Sequence, residues 1–134
     1  MGRILALDYG EKRIGVAISD ESAKIAFAKP HIEAGNFQAL LDFINENEVQ
    51  EIVVGYPLAL SGKETDSTVK AKEFSKKIKT STGLPVWLID ERLSTKEVLT
   101  ELRDMGQNLK DSKEMIDSFV AQKMLERYLE KLQV

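Results

Sequence analysis

Ile4-Leu5-Ala6-Leu7-Asp8-Tyr9-Gly10 is an apolar run that ends in a carboxylate and a turn. Gly15-Val16-Ala17-Ile18-Ser19 follows closely enough to fold back on it as an antiparallel hairpin. The segment Lys24 to Ala34 adds a third strand, and Pro30 within it favours an edge position, where a missing N–H costs little. From Asn36 the spacing changes. Phe37, Leu40, Leu41 and Ile44 recur at helical intervals, with Asn36 as N-cap. Glu51 to Gly55 reads as a buried strand ended by Tyr56-Pro57, and Ser61-Gly62-Lys63-Glu64 as a polar loop. A helix is predicted from about Asp66 to Ser81, stopped by Gly83-Leu84-Pro85. Val86 to Ile89 forms the next strand and leads into Asp90-Glu91-Arg92. Ser94-Thr95-Lys96-Glu97 has the form of a capping box, which starts a helix there and ends it near Gly106. Asp111-Ser112-Lys113-Glu114 repeats that logic and opens a last helix carrying Ile116, Phe119, Val120, Met124, Tyr128 and Leu132. Trp87 and Tyr128 are expected in the core, with stacking on bases as the lesser alternative. Helices alternating with strands demand parallel pairing and the early hairpin adds antiparallel strands, so the expected fold is α/β with a mixed sheet. Without a linker or repeat, residues 1–134 read as a single domain.

Composition narrows the chemistry. The 134 residues contain no Cys and one His, which removes thiol nucleophiles, cysteine metal sites and a His-His metal pair within one chain. His31 sits beside Pro30 in the edge segment, a poor place for catalysis. The apolar runs fall short of the ~18 residues a membrane span needs, and the N-terminal segment lacks the features of a signal peptide, so a cytoplasmic location is expected. The net charge of −3 gives no global support for nucleic-acid binding, which must then come from local charge.

Three acids stand where a solvated acid need not. Asp8 closes an almost wholly apolar strand, and Glu91 takes the matching place after Val86 to Ile89. Ligands of open α/β sheets bind at the carboxyl ends of strands, so the two converge if their strands are neighbours. Helical spacing sets Asp117 beside Val120, Ala121 and Met124, at the edge of the inward stripe. Converging carboxylates without His or Cys suit a hard divalent cation, Mg²⁺ or Mn²⁺, and phosphodiester cleavage. The plainer readings are that Asp8 caps a turn, Glu91 pairs with Arg92, and Asp117 meets a lysine.

These residues lie within larger motifs: Asp8-Tyr9-Gly10-Glu11-Lys12-Arg13-Ile14-Gly15, Val54-Gly55-Tyr56-Pro57 with Gly62, and Asp90-Glu91-Arg92-Leu93-Ser94-Thr95, completed by Asp117. In this order, over essentially the whole chain, they resemble the YqgF (RuvX) family of pre-16S rRNA nucleases, relatives of RuvC-type Holliday-junction resolvases. The resemblance implies a ribonuclease H-like fold and an acidic triad of Asp8, Glu91 and Asp117. It further implies metal-dependent hydrolysis during maturation of the 16S rRNA 5′ end, with precursor rRNA and ribosomal precursor particles as partners. Departures from the family pattern are Tyr56, Ala59 and Ser61 in the loop, and Glu114 and Met115 before the last acid. They leave the triad intact and bear on loop contacts to substrate.

Lys12, Arg13 and Arg92 follow the acids closely and are the candidate phosphate contacts; the plainer role for each is an ordinary ion pair. The lysines from Lys70 to Lys79 form a second basic stretch or the wet face of an amphipathic helix, and Lys131 in the last turn is expected on the far side. Ser94 and Thr95 serve chiefly as caps, and Ser61-Gly62-Lys63 lacks the glycine spacing of a Walker loop. Alternative functions are a resolvase of branched DNA, which a symmetric dimer would suit, and an RNA-binding assembly factor without cleavage. Both a monomer and a homodimer are compatible with the sequence.

Overall fold

The computed structural model describes residues 2–106 and 113–133. Strands β1 (Arg3–Tyr9), β2 (Arg13–Ser19) and β3 (Ala26–Glu33) form the antiparallel meander expected from the hairpin. Helix α1 (Phe37–Glu46) then returns the chain to β4 (Val49–Tyr56), which pairs parallel to β1. Helix α2 (Asp66–Thr82) leads to β5 (Val86–Asp90), parallel to β4, and α3 (Arg92–Asp104) and α4 (Lys113–Leu132) follow. The sheet order is β3-β2-β1-β4-β5. Asn36 caps α1 through its side chain on the Ala39 N–H, as predicted. Helix α2 is capped by Thr65, whose box partner Thr68 takes the place usually held by Glu or Gln, and it ends on Gly83 in the left-handed region.

Side-chain alternation along the central strands splits the core in two. Leu5, Leu7, Ile14, Val16, Ile18, Ile52 and Val54 face α1 and α2, where Leu40, Ile44, Phe74 and Ile78 cover them. Ile4, Ala6, Ala17 and Val53 face α3 and α4, against Val98, Leu102, Val120, Ala121, Met124 and Leu125. No described helix is long and apolar enough to cross a membrane.

Three sequence expectations are corrected. Helix α3 begins at Arg92 rather than Ser94, and Ser94 is 1% exposed inside the helix, so its hydroxyl caps nothing. Thr95 is likewise helical; its hydroxyl donates to the Glu91 carbonyl one turn back. Trp87 is 53% exposed because β5 is an edge strand whose α4 side is left uncovered. The proposed cap at residues 111–112 lies outside the described residues.

Candidate active site

The site is built around a row of three residues across the sheet. Asp8 pairs with Gly15 on β2 and with Gly55 on β4. All three share the α3/α4 face, because they stand two positions from Ala6, Ala17 and Val53. Both glycines are required for close approach. A Cβ on Gly15 would lie 2.2 Å from the backbone carbonyl of Asp117, so α4 rests directly on the β2 backbone. A Cβ on Gly55 would lie 2.5 Å from the Met124 Sδ and 3.0 Å from Glu91 Oε2.

Gly55 also corrects the condition for convergence. Asp8 and Glu91 do not leave neighbouring strands, since β4 lies between β1 and β5. Their carboxyls meet across β4 because Gly55 carries no side chain to separate them. Glu91 ends β5 with a backbone of φ −91° and ψ −2°, donates its N–H to the Tyr56 carbonyl at 3.3 Å, and caps α3 without its side chain. That side chain is thereby free to reach back over Gly55.

Asp117 arrives from the opposite side of Asp8, on the first turns of α4. The register of β2 against β3 is irregular between Ile14 and Val16, and there the Val16 N–H donates to the buried Ser118 hydroxyl at 3.0 Å. This bond joins residues 102 positions apart and fixes α4 where Asp117 can enter. Arg13 Nε lies 3.4 Å from Asp117 Oδ2.

Electrostatics confirm the crowding. Asp8 is 9% exposed. Burial, then a hydrogen bond and the charge of Glu91, then the charge of Asp117, push its carboxyl well above the usual range. Glu91 is also raised by burial and by the charges of Asp117 and Asp90, against the hydrogen bond from Asp8, which favours its ionised form. Two buried carboxyls so close cannot both ionise freely, and burial with two acidic neighbours favours the protonated form chiefly at Asp8. Glu91 Oε2 is nevertheless buried without any hydrogen-bond partner. Such an orphaned acceptor costs about 1–3 kcal/mol.

The structure thus joins Asp8 and Glu91 and sets Asp117 beside them, engaged by Arg13. Among the described residues, no three Asp, Glu, His or Cys side chains are already drawn together as metal ligands. Of the candidate phosphate contacts, Lys12 is exposed and Arg13 stands at the acids. Arg92 pairs with Asp90 rather than Glu91, its Nη2 2.7 Å from Oδ2, and its Nη1 reaches the Ala59 carbonyl at 3.4 Å. This clamp ties the loop after β4 to the turn that presents Glu91. Lys70 pairs with Glu11 at 3.0 Å, Lys72 with Glu64, and His31 Nε2 lies 3.2 Å from Glu33. Sequence reasoning missed Gly15, Gly55, Ser118 and the Asp90 clamp; a glycine inside a strand was the available signal.

The RuvX family model, described as Holliday junction resolvase, matches residues 2–131. A protein of Koribacter versatilis, provisionally named pre-16S rRNA nuclease, is 40% identical over 134 residues, covering 97% of this chain and 88% of its own. One of the same name from Maridesulfovibrio salexigens is 35% identical over 131 residues, covering 95% and 97%. The RuvC structure of T. thermophilus with a Holliday junction substrate superposes with a TM-score of 0.63 at 13% identity, over 99% of this chain and 96% of that one. That likeness shows the ribonuclease H-like fold. A family match over nearly the whole length, with relatives at this identity, shows that the chain belongs to the RuvX family.

Proposed function

We propose that this chain is a metal-dependent nuclease of the cytoplasm that hydrolyses a phosphodiester bond near the 5′ end of pre-16S rRNA, within ribosomal precursor particles. Asp8, Glu91 and Asp117 are its catalytic and metal-holding residues. The observation that carries the reading is the Gly15–Asp8–Gly55 row, where two absent side chains let carboxyls from β5 and α4 reach the one on β1. The donor set fits Mg²⁺ or Mn²⁺: it is all oxygen, and the buried Glu91 Oε2 lacks a partner that a cation would supply. When bound, such a cation supplies positive charge that acidifies water and stabilises the leaving oxygen.

The protein's own groups do the rest. Asp8, Glu91 and Asp117 would hold the cation in their ionised forms, so its binding would compete with the protonation that burial favours at Asp8. Arg13, 3.4 Å from Asp117, and the exposed Lys12 beside it would grip phosphate oxygens next to the acids. Arg92, engaged by Asp90, holds the loop and the Glu91 turn. The pre-16S assignment rests on the names of the relatives, while the description of the family model favours a second reading, resolution of branched DNA.

The test incubates purified protein with 5′-extended 16S precursor RNA and with a four-way DNA junction, each with Mg²⁺ or Mn²⁺. RNA cleavage that Asp8→Asn abolishes is the expected result. Junction cleavage alone would favour the second reading. RNA retention without cleavage by the wild type would leave only a binding factor.

A further inference from the structure

Beside the acids lies a groove that the proposed chemistry does not use. It runs between the open side of β5 and the last turns of α4, with a volume of about 630 Å³, within the size of small-molecule sites. Ile89, Met124 and the Tyr128 ring give it an apolar floor, and Asp90 and Arg127 give it polar edges. The groove is continuous with the site: Met124 touches both, and Asp90 precedes Glu91. Its charges are largely neutralised internally, Asp90 by Arg92 and Arg127 by Glu97, with Lys131 and Glu130 of opposite sign at the end. Lys131 lies at the far end of the groove, about four helical turns along α4 from Asp117. Just outside the residues that line the groove, two positions before Ile89 and on the same face of β5, stands Trp87, the only tryptophan, 53% exposed.

An apolar floor with neutralised polar edges does not match a phosphate. It matches a flat heterocycle with donors and acceptors at its rim. Resting on the nuclease reading of the adjoining acids, we propose that an unpaired nucleobase of the substrate strand docks at this end of the groove, with the neighbouring exposed Trp87 as its stacking surface. Trp87 lies four residues from Glu91, roughly 13 Å along an extended strand, so the base belongs to a nucleotide flanking the scissile bond. A base can lie there only if it is unpaired, so the site selects single-stranded nucleic acid on that side of the cut. Aromatic stacking is tolerant of base identity.

The test uses the full chain carrying Asp8→Asn, so that nothing is cleaved. A ten-nucleotide single-stranded RNA, the same sequence as DNA, and the same RNA in a blunt duplex are titrated separately. Indole emission and the anisotropy of labelled strands are both read. Saturable quenching by the single strands, weaker or absent with the duplex, is expected; comparison of the RNA and DNA arms identifies the preferred source of the base. Trp87→Ala should weaken single-strand affinity about tenfold, and Trp87→Phe should restore most of it. Strands that bind by anisotropy while emission and Trp87→Ala affinity stay unchanged would overturn the groove, as would absence of single-strand binding. An emission change that follows protein concentration without RNA would also overturn it, assigning this face to a second copy. Wild-type cleavage of precursor RNA is measured apart. Cleavage with an unmoved indole removes the groove and leaves the nuclease, whereas quenching without cleavage removes the nuclease and leaves the stacking site.

Discussion

The two faces of one sheet are built to opposite rules. Toward α1 and α2 the central strands present Leu5, Leu7, Ile14, Val16, Ile18, Ile52 and Val54, large side chains without a charge among them. Toward α3 and α4 the same strands present Ile4 and Val53 but also the small Ala6, Ala17, Gly15 and Gly55, with Asp8 in their midst. The first face fills space with aliphatic volume, each buried side chain contributing roughly 1.5–3 kcal/mol. The second gives that volume up so that α4 can lie on the strand backbone and bring a carboxylate within reach of two others. Both faces bury an apolar cluster, but only the second makes room for chemistry within it.

Substitutions that confuse the two faces sharpen this division. The largest effect is expected from Asp8→Asn: cleavage should fall by well over the 10–100-fold typical of residues that only support metal ligands, with the melting temperature unchanged or raised. Undiminished cleavage at saturating metal would remove Asp8 from the site. Leu7→Ala, one residue earlier on the opposite face, should cost about 2–5 kcal/mol in denaturant unfolding, with activity per folded molecule intact. A loss of kcat beyond the folded fraction would mean that the faces are not separate. Gly15→Ala comes next, at about 1–3 kcal/mol, because its new Cβ meets the fixed backbone of Asp117. It should also depress activity by displacing that residue. Gly55→Ala should cost less, about 1 kcal/mol, since the flexible Met124 thioether can move aside, and Met124→Ala should relieve part of it. Equal costs at Gly15 and Gly55 would contradict the difference in what each glycine faces.

The smallest effect is a slope. Asp8 and Glu91 both bind a proton more tightly folded than unfolded. Their contribution to metal-free stability is present in acid and is lost as pH rises from the ordinary aspartate value of 3.8 through the raised folded values. Stability of Asp8→Asn, followed by urea unfolding across that window, should fall less steeply than that of the wild type. Parallel curves would show that Asp8 is not the group held protonated.

The sequence carried the strands and helices because their patterning is local. Ile4 to Asp8 and Gly15 to Ser19 announce a hairpin, and Phe37, Leu40 and Ile44 a helix, without knowledge of what lies opposite. It also carried the acids, through their place after apolar strands. What it did not carry depends on neighbours distant along the chain. Val-Trp-Leu-Ile reads as buried, yet Trp87 is exposed because α4 crosses the other strands and leaves the edge open. Ser94-x-x-Glu97 imitates a capping box, but Ser94 faces inward and the helix had already begun at Arg92. The strands bearing Asp8 and Glu91 did not need to be adjacent, because Gly55 stands between them. A glycine signals close approach without saying to what, and only the docked α4 gives the answer.

The bond from Val16 to Ser118 spans almost the whole length of the polypeptide. During synthesis, a nascent chain that has emerged only through α3 already carries Asp8 and Glu91, but it has neither Asp117 nor the helix that covers Gly15. A product stalled at that stage lacks one of the three acids proposed for cutting and leaves the α4-facing aliphatics open to quality-control proteases. The three acids proposed for cutting thus share one site only once α4 has closed over the first hairpin.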